Sequence, residues 1–156
     1  MILIIDYGLY FNQLISRRVR EHHVYCQIDP PKVVTLDHVK KLNPEGIILS
    51  GGPASIYDEN SPQVDPGIFK LGIPVLGICY GMHLMVDALG GTIEGADKRE
   101  YGFANLNIED TKGLFAGIES PTQCWMSHGD SVTKLPDNFH VTASTENTEL
   151  AAASAD

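Results

Sequence analysis

The stretch VLGICYGMHLM, residues 75–85, decides how this chain folds, because it sets a cysteine between two glycines. The apolar run before the cysteine favours a buried strand, and the helical spacing of apolar residues after it favours a helix over residues 80–89. The pattern G-x-C-x-G from Gly77 to Gly81 is the cysteine form of a nucleophile elbow, in which a sharp turn joins a strand to a helix. The stretch therefore predicts an α/β fold and draws attention to Cys79.

The same rhythm extends upstream of this stretch. Apolar runs predict further strands in MILIID (1–6), VYCQI (24–28), GIILS (46–50) and IPVLGI (73–78), and helical patterns predict helices at 11–21 and in LDHVKKL (36–42). Strands that alternate with helices imply an open, mostly parallel sheet with right-handed crossovers and helices on both faces.

Downstream of residue 92 the pattern changes to short strands separated by turns. They are GTIEG, ANLNIE, QCWMS, HVTAST and LAAAS, which favour hairpins over further crossovers. A length of 156 residues fits one domain, residues 1–156. Because the chain ends at SAD with nothing like a terminal helix, we expect this domain to be incomplete at its C-terminus.

Composition excludes several classes of function. The formal net charge of −9 opposes binding to nucleic acid, and the one basic run, RRVRE (17–21), reads as a solvated helix face. No apolar run reaches the roughly 20 residues that span a bilayer, and the start does not resemble a signal peptide, so we expect no membrane role and a cytoplasmic location. Three widely spaced cysteines without a CxxC pair predict neither disulfides nor a zinc site.

Cys79 invites two interpretations. In the first it is a nucleophile, since a helix N-terminus favours the thiolate and the N–H of Tyr80 could stabilise an oxyanion. In the second it is a small core residue, which is how we interpret Cys26 and Cys124. A loop after the neighbouring strand, Gly51-Gly52-Pro53, favours the first interpretation, because the bare backbone at Gly52 offers a second oxyanion donor.

Four motifs together resemble the class I (triad) glutamine amidotransferases, most closely the amidotransferase domains of the GMP synthase family. They are GIILSGGPASIYDENSP, GIPVLGICYGMHLM, LGGTIEGADKREYG and WMSHGDSV, and they occur in the family's order over nearly the whole chain. The resemblance implies that Cys79 attacks the side-chain amide of glutamine to form a thioester, with Gly52 and Tyr80 holding the oxyanion. It also implies that Ser127, His128, Gly129 and Asp130 line the glutamine pocket.

The resemblance further implies a partner. The released ammonia would pass to an ATP-pyrophosphatase (synthetase) domain or subunit, which uses ATP and magnesium to aminate XMP to GMP. No cofactor is expected in the amidotransferase domain itself.

The sequence departs from the family in three places, and the first two bear on activity. The family's catalytic histidine is followed two positions later by a glutamate, and no H-x-E triplet occurs in this chain. His83 stands where the family has a substrate-contacting glutamine, and an imidazole cannot present an amide's donor and acceptor together. Near the N-terminus, DYGLYFNQ (6–13) replaces the family's GSQYTQ-like sequence.

Two alternatives follow from these departures. One is a catalytically silent domain of the same fold with a docking or regulatory role. The other is a relative of the DJ-1-like chaperones and hydrolases, which share the cysteine elbow, although SGGP and MSHGDSV argue against it.

Overall fold

A computed structural model describes residues 1–8 and 10–155, and for residues 96–99 it describes the backbone alone. The chain divides into two compact units, Met1–Ala88 and Leu89–Asp156. None of the helices within the described ranges has the length and apolar character needed to cross a bilayer.

The first unit is built on a four-stranded parallel sheet in the order β2-β1-β3-β4. Its strands are β1 (Ile2–Ile5), β2 (Cys26–Asp29), β3 (Gly46–Leu49) and β4 (Val75–Gly77), and its helices are α1 (Asn12–Glu21), α2 (Leu36–Leu42) and α3 (Tyr80–Ala88), with 3₁₀ turns at Pro31–Val33 and Pro66–Lys70. The chain passes from β1 to β2 at one edge and then crosses back over β1 to β3. Because such crossovers are right-handed, the two connections place α1 and α2 on opposite faces of the sheet. The predicted α/β fold with a parallel sheet is confirmed.

The core of the first unit explains why β1 is apolar throughout. Leu3, Ile4 and Ile5 are all buried, as a central strand covered on both faces requires. Leu3 and Ile5 belong to the cluster that includes Val39 of α2. Cys26 is buried beside Ser16 of α1, with 3.3 Å between thiol and hydroxyl, so its predicted place in the core is confirmed.

The second unit is a four-stranded antiparallel sheet in the order β6-β5-β7-β8. Its strands are β5 (Thr92–Ile108), β6 (Thr122–Lys134), β7 (His140–Ser144) and β8 (Ala152–Ser154). The predicted change to hairpins is confirmed, but the prediction that GTIEG and ANLNIE are separate strands is wrong. Both pair with β6, and a register shift between Gly95 and Glu100 lets one strand continue through the polar segment between them.

The β5–β6 ladder has two contrasting faces. Tyr101, Phe103 and Trp125 are exposed on the outer face, where Phe103 pairs directly with Trp125 and Trp125 is 81% exposed. The inner face carries the directly opposed pair Glu100 and His128, and Glu100 is buried. Alternation of side chains along each strand produces this division.

Candidate active site

Cys79 lies at the junction of β4 and α3 in a left-handed backbone conformation, with φ of +52°. Its carbonyl accepts the first helical hydrogen bond, from the N–H of His83 at 3.0 Å, so Cys79 caps the N-terminus of α3. The cysteine is partly exposed, in contrast to the fully buried Cys26. An L-residue with positive φ is held there only by its surroundings, and such strain is concentrated at functional positions.

The two glycines of the elbow are required by close backbone contacts. A Cβ atom at Gly81 would lie 2.2 Å from the carbonyl oxygen of Leu49, and one at Gly77 would lie 2.7 Å from Cα of Met82. Neither position has room for a side chain without movement of the backbone. This is the crowding that the G-x-C-x-G pattern predicts.

The loop after β3 is bonded to the elbow within the first unit. The N–H of Gly81 donates to the carbonyl of Ser50 at 3.1 Å, and the N–H of Ile78 donates to the carbonyl of Leu49 at 2.9 Å. These bonds bring the end of β3 beside the end of β4. Gly52 comes two residues after Ser50, whose carbonyl is bonded to Gly81 of the elbow. The carboxyl ends of adjacent parallel strands are where α/β proteins place their sites.

Gly52 is held against the end of β1 by Tyr7. A Cβ at Gly52 would lie 2.3 Å from the carbonyl oxygen of Tyr7, while the N–H of Tyr7 donates to the buried Ser50 hydroxyl at 3.0 Å. Neither Tyr7 nor Ser50 was predicted from the sequence. Their position just after the ends of β1 and β3 is the signal that could have found them.

Tyr80 joins the elbow to the core. Its N–H belongs to the first residue of α3 and therefore has no acceptor within the helix. Its ring packs edge-on against that of Tyr7 with centroids 5.4 Å apart, and its hydroxyl donates to the carbonyl of Pro62 at 2.6 Å. Burial raises the pKa of both phenols, well beyond the usual range in the case of Tyr7.

His83 lies one turn into α3 and is 8% exposed. The placement one helical turn after Cys79 agrees with the spacing in the sequence.

Ser127, His128, Gly129 and Asp130 lie together in β6 of the second unit. Ser127 is exposed and opposes Tyr101, whereas the side chain of His128 points to the inner face, opposite Glu100. One ring nitrogen of His128, Nδ1, lies 2.8 Å from the backbone carbonyl oxygen of Asp130. The four residues therefore share a segment, in which the side chains of Ser127 and His128 point to opposite faces of the strand.

A buried polar cluster that was not predicted from the sequence surrounds His128. Glu100 accepts hydrogen bonds from the hydroxyls of Thr145 and Thr148 at 2.9 to 3.0 Å, and its Oε2 lies 3.4 Å from Nε2 of His128. Glu100 is also one cause, after burial, of the raised pKa of the Cys124 thiol. No local signal in the sequence identifies Glu100, because its burial depends on the pairing of β5 with β6.

The remaining histidines are His22, His23, His38 and His140. His38 contacts Asp29 at 2.8 Å and His140 contacts Asp110 at 3.2 Å, while His22 and His23 are exposed beyond the end of α1. His38 is partly exposed on α2.

Relatives with similar sequences include glutamine-hydrolysing GMP synthases. Those of Heliobacterium modesticaldum and Natranaerobius thermophilus are 54% and 51% identical to this chain over 151 residues, 97% of its length. The chain spans 29% of the length of each of these relatives.

Solved structures agree with the sequence comparison. A putative GMP synthase subunit from Thermoplasma acidophilum superposes with a TM-score of 0.87 at 26% identity, over 99% of this chain and 77% of that one. A glutamine amidotransferase from Thermotoga maritima has the same fold, with a TM-score of 0.80 at 20% identity over 99% of this chain and 70% of that one. The family model for class-I glutamine amidotransferases matches residues 3–156. With an elbow cysteine, a parallel sheet and a match over nearly its whole length, the chain belongs to the class I glutamine amidotransferase family.

Proposed function

We propose that this chain is the glutamine-hydrolysing part of a GMP synthase, with Cys79 as nucleophile. The observation that carries the proposal is the left-handed Cys79 at the start of α3, bonded through Gly81 to the loop that leads to Gly52. A thiol at a helix N-terminus, beside backbone N–H groups without intrahelical acceptors, suits attack on an amide carbonyl.

The proposed reaction has two steps. The Cys79 thiolate attacks the side-chain carbonyl carbon of glutamine, and the N–H groups of Gly52 and Tyr80 stabilise the oxyanion that forms. The oxyanion collapses, the C–N bond breaks, and the nitrogen leaves as ammonia after gaining a proton, which leaves a γ-glutamyl thioester. Water then attacks the thioester, releasing glutamate and returning the thiol.

The substrate's amino-acid end is assigned to Ser127, His128, Gly129 and Asp130, with His83 as a further substrate-binding residue. These roles rest on the family resemblance of the MSHGDSV and CYGMHLM motifs. A net charge of −9 suits a small zwitterionic substrate in this chain better than a nucleotide.

The remaining chemistry is assigned to a synthetase domain or subunit. The names of the relatives support GMP synthesis, and the relatives are more than three times as long as this chain. We propose that the ammonia is consumed there in an ATP- and magnesium-dependent amination of XMP, and that the assembly works in the cytoplasm.

Cys79 labelling tests the proposal directly. A glutamine-like chloroketone should alkylate Cys79, and excess glutamine should slow the reaction. Cys26 and Cys124 are internal controls, and mass spectrometry of peptides reports all three thiols. A rate of Cys79 labelling that glutamine does not change, or faster labelling of Cys124 than of Cys79, would refute the nucleophile assignment.

The isolated chain of residues 1–156 is expected to release little or no ammonia from glutamine. Thiols in general are only a few per cent ionised at neutral pH, and the sequence has no H-x-E triplet to supply the family's base. The measurement is ammonia release by residues 1–156 against the Cys79→Ser variant as the matched blank. Release well above that blank would contradict the expectation.

The absence of an H-x-E triplet and the histidine at position 83 also favour a second candidate, a catalytically silent domain that docks or regulates. Glutamine-protected alkylation of Cys79 would exclude it. Full-length protein in which Cys79 is inert to the chloroketone would support it.

A further inference from the structure

The second unit contains a buried carboxylate that the proposed reaction does not use. Glu100 is 7% exposed and opposes His128 directly across the β5–β6 ladder. A buried carboxylate is costly unless its oxygens are hydrogen-bonded or paired with a positive charge. Its partners should therefore be found among its neighbours.

Two hydroxyls supply part of what Glu100 requires. Thr145 donates to both carboxylate oxygens, at 2.9 and 3.0 Å, and Thr148 donates to Oε2 at 2.9 Å. The segment that carries these threonines is closed by its own bonds, since the N–H of Thr145 donates to the carbonyl of Thr148 at 2.8 Å. The N–H of Thr148 in turn donates to the Thr145 hydroxyl at 3.1 Å. The carboxylate is thus held from one side by a closed turn.

The ring of His128 faces the carboxylate from the other strand. Its Nδ1 lies 2.8 Å from the carbonyl oxygen of Asp130, and because a carbonyl can only accept, Nδ1 must carry a proton. Its Nε2 is buried, without a hydrogen-bond partner among the described residues, and lies 3.4 Å from Oε2 of Glu100. A bare Nε2 would oppose the lone pairs of a carboxylate, so the two atoms attract each other only when one of them carries a proton.

We propose that Glu100 is a positioning residue. Held by Thr145 and Thr148, it fixes the ring of His128, which in turn fixes the backbone at Asp130. The Ser127–Asp130 segment is thereby held in one conformation, in which it binds the amino-acid end of the substrate. The last step rests on the proposed function, that this segment binds glutamine.

Nitrogen-15 NMR of the His128 ring in the full 156-residue chain tests the first step without any substrate. The wild-type ring should show a protonated Nδ1 and a single set of ring signals. Glu100→Gln should shift the ring resonances and the backbone amides of residues 127–130, whereas Glu94→Gln, at an exposed position on the same strand, should not. Thr148→Val, which keeps the carboxylate, should move the same ring signals by less.

A carboxylate with only a structural role would change the unfolding midpoint of Glu100→Gln and leave the ring signals of the folded variant in place. That result would overturn the inference. So would a wild-type ring with an unprotonated Nδ1 or a mixture of tautomers, a measurement that stands even if Glu100→Gln does not fold.

A glutamine titration in the same samples separates the two proposals. Glutamine should shift the amides of residues 127–130 in the wild type, and Glu100→Gln should raise its Kd about tenfold, as loss of one buried polar contact predicts. Shifted His128 ring signals in Glu100→Gln, without glutamine binding to the wild type, would support Glu100 as the partner of His128. They would overturn the role in substrate binding together with the proposed function. Wild-type glutamine binding that Glu100→Gln leaves unchanged would overturn the positioning role alone.

Discussion

At the scale of single residues, the feature that governs the site is the backbone of Cys79. Its φ of +52° belongs to a region that glycine enters freely and other L-residues enter at a cost of about 1–2 kcal/mol. The fold maintains this conformation through the backbone bonds of Ile78 and Gly81 to the end of β3. A sequence that retains a strained cysteine where glycine would be easier points to use of the thiol.

Replacing Cys79 by glycine should therefore stabilise the fold relative to replacing it by alanine, by about 1 kcal/mol in the free energy of unfolding. Both changes remove the thiol, and only glycine relieves the strain. Urea unfolding of the two variants measures the difference. Cys124 in β6 is the matched control, since glycine in a strand should there be less stable than alanine. Equal stabilities of the two Cys79 variants would show that the turn is unstrained.

Tyr7 offers a second test at this scale. Its hydroxyl is buried without a hydrogen-bond partner among the described residues, and burial raises its pKa far above the usual range. Tyr7→Phe should stabilise the protein by about 1 kcal/mol at neutral pH, because an unpaired buried hydroxyl is removed. Tyr25→Phe, at an exposed position, is the control.

The pH dependence of Tyr7→Phe has a definite sign. A phenol whose pKa is raised by folding contributes stability that is lost as the pH rises above its ordinary value of 10.0. The advantage of the phenylalanine variant should therefore grow in alkaline solution. Urea midpoints on both sides of that value measure it, and a constant difference would contradict the buried phenol.

Glu100 shows the limit of sequence interpretation for single residues. Its motif, REYG, is polar and reads as exposed, and nothing local indicates two threonines 45 and 48 positions later. Long-range pairing decides that this carboxylate is buried. Cys79 and its glycines were predictable because the G-x-C-x-G pattern that identifies them lies within five consecutive residues.

At the scale of elements, the parallel half was the most predictable. The predicted helix LDHVKKL coincides with α2, Leu36–Leu42, because both of its ends are encoded locally. Thr35 accepts the N–H of His38 at 3.2 Å, and Asn43 ends the helix in a left-handed conformation. The lengths of β5 and β6 were less predictable, because each strand is extended by its partner and not by its own pattern.

The Thr35 cap can be measured. Thr35→Ala should lower the free energy of unfolding by about 1 kcal/mol, since a helix N–H loses its acceptor. Thr35→Ser keeps the hydroxyl and should retain most of the stability. Guanidinium unfolding followed by circular dichroism compares the two, and equal losses would mean that the methyl group matters and the cap does not.

At the scale of the whole molecule, the chain is acidic and divides into a parallel and an antiparallel unit, each with its own sheet. That it forms a single domain incomplete at its C-terminus stays a prediction. Among the residues whose side chains the structure describes, exposed carboxyl groups with lowered pKa values are those of Glu21, Glu45 and Asp110. Hydrogen bonds from Arg18 lower that of Glu21, the N-terminal ammonium group lowers that of Glu45, and the backbone N–H of Lys112, with His140, lowers that of Asp110.

The sign of their effect on acid stability follows from linkage. A carboxyl group whose pKa is lowered by folding contributes stability above its ordinary value, which is 4.5 for glutamate and 3.8 for aspartate, and this is lost as the pH falls. Urea midpoints should therefore decline as the solution is acidified below those values. Asp110→Asn should make the decline shallower, and a decline unchanged by this variant would contradict a role for Asp110.

The lone tryptophan has a practical consequence for anyone who studies ligands of this protein. Trp125 lies on the outer face of β6 and is largely exposed, so its fluorescence reports on the antiparallel sheet and on solvent. Optical melting curves read through this one fluorophore would follow the second unit. Compounds directed at Cys79 can be followed by a reporter placed on α3, the helix that Cys79 caps.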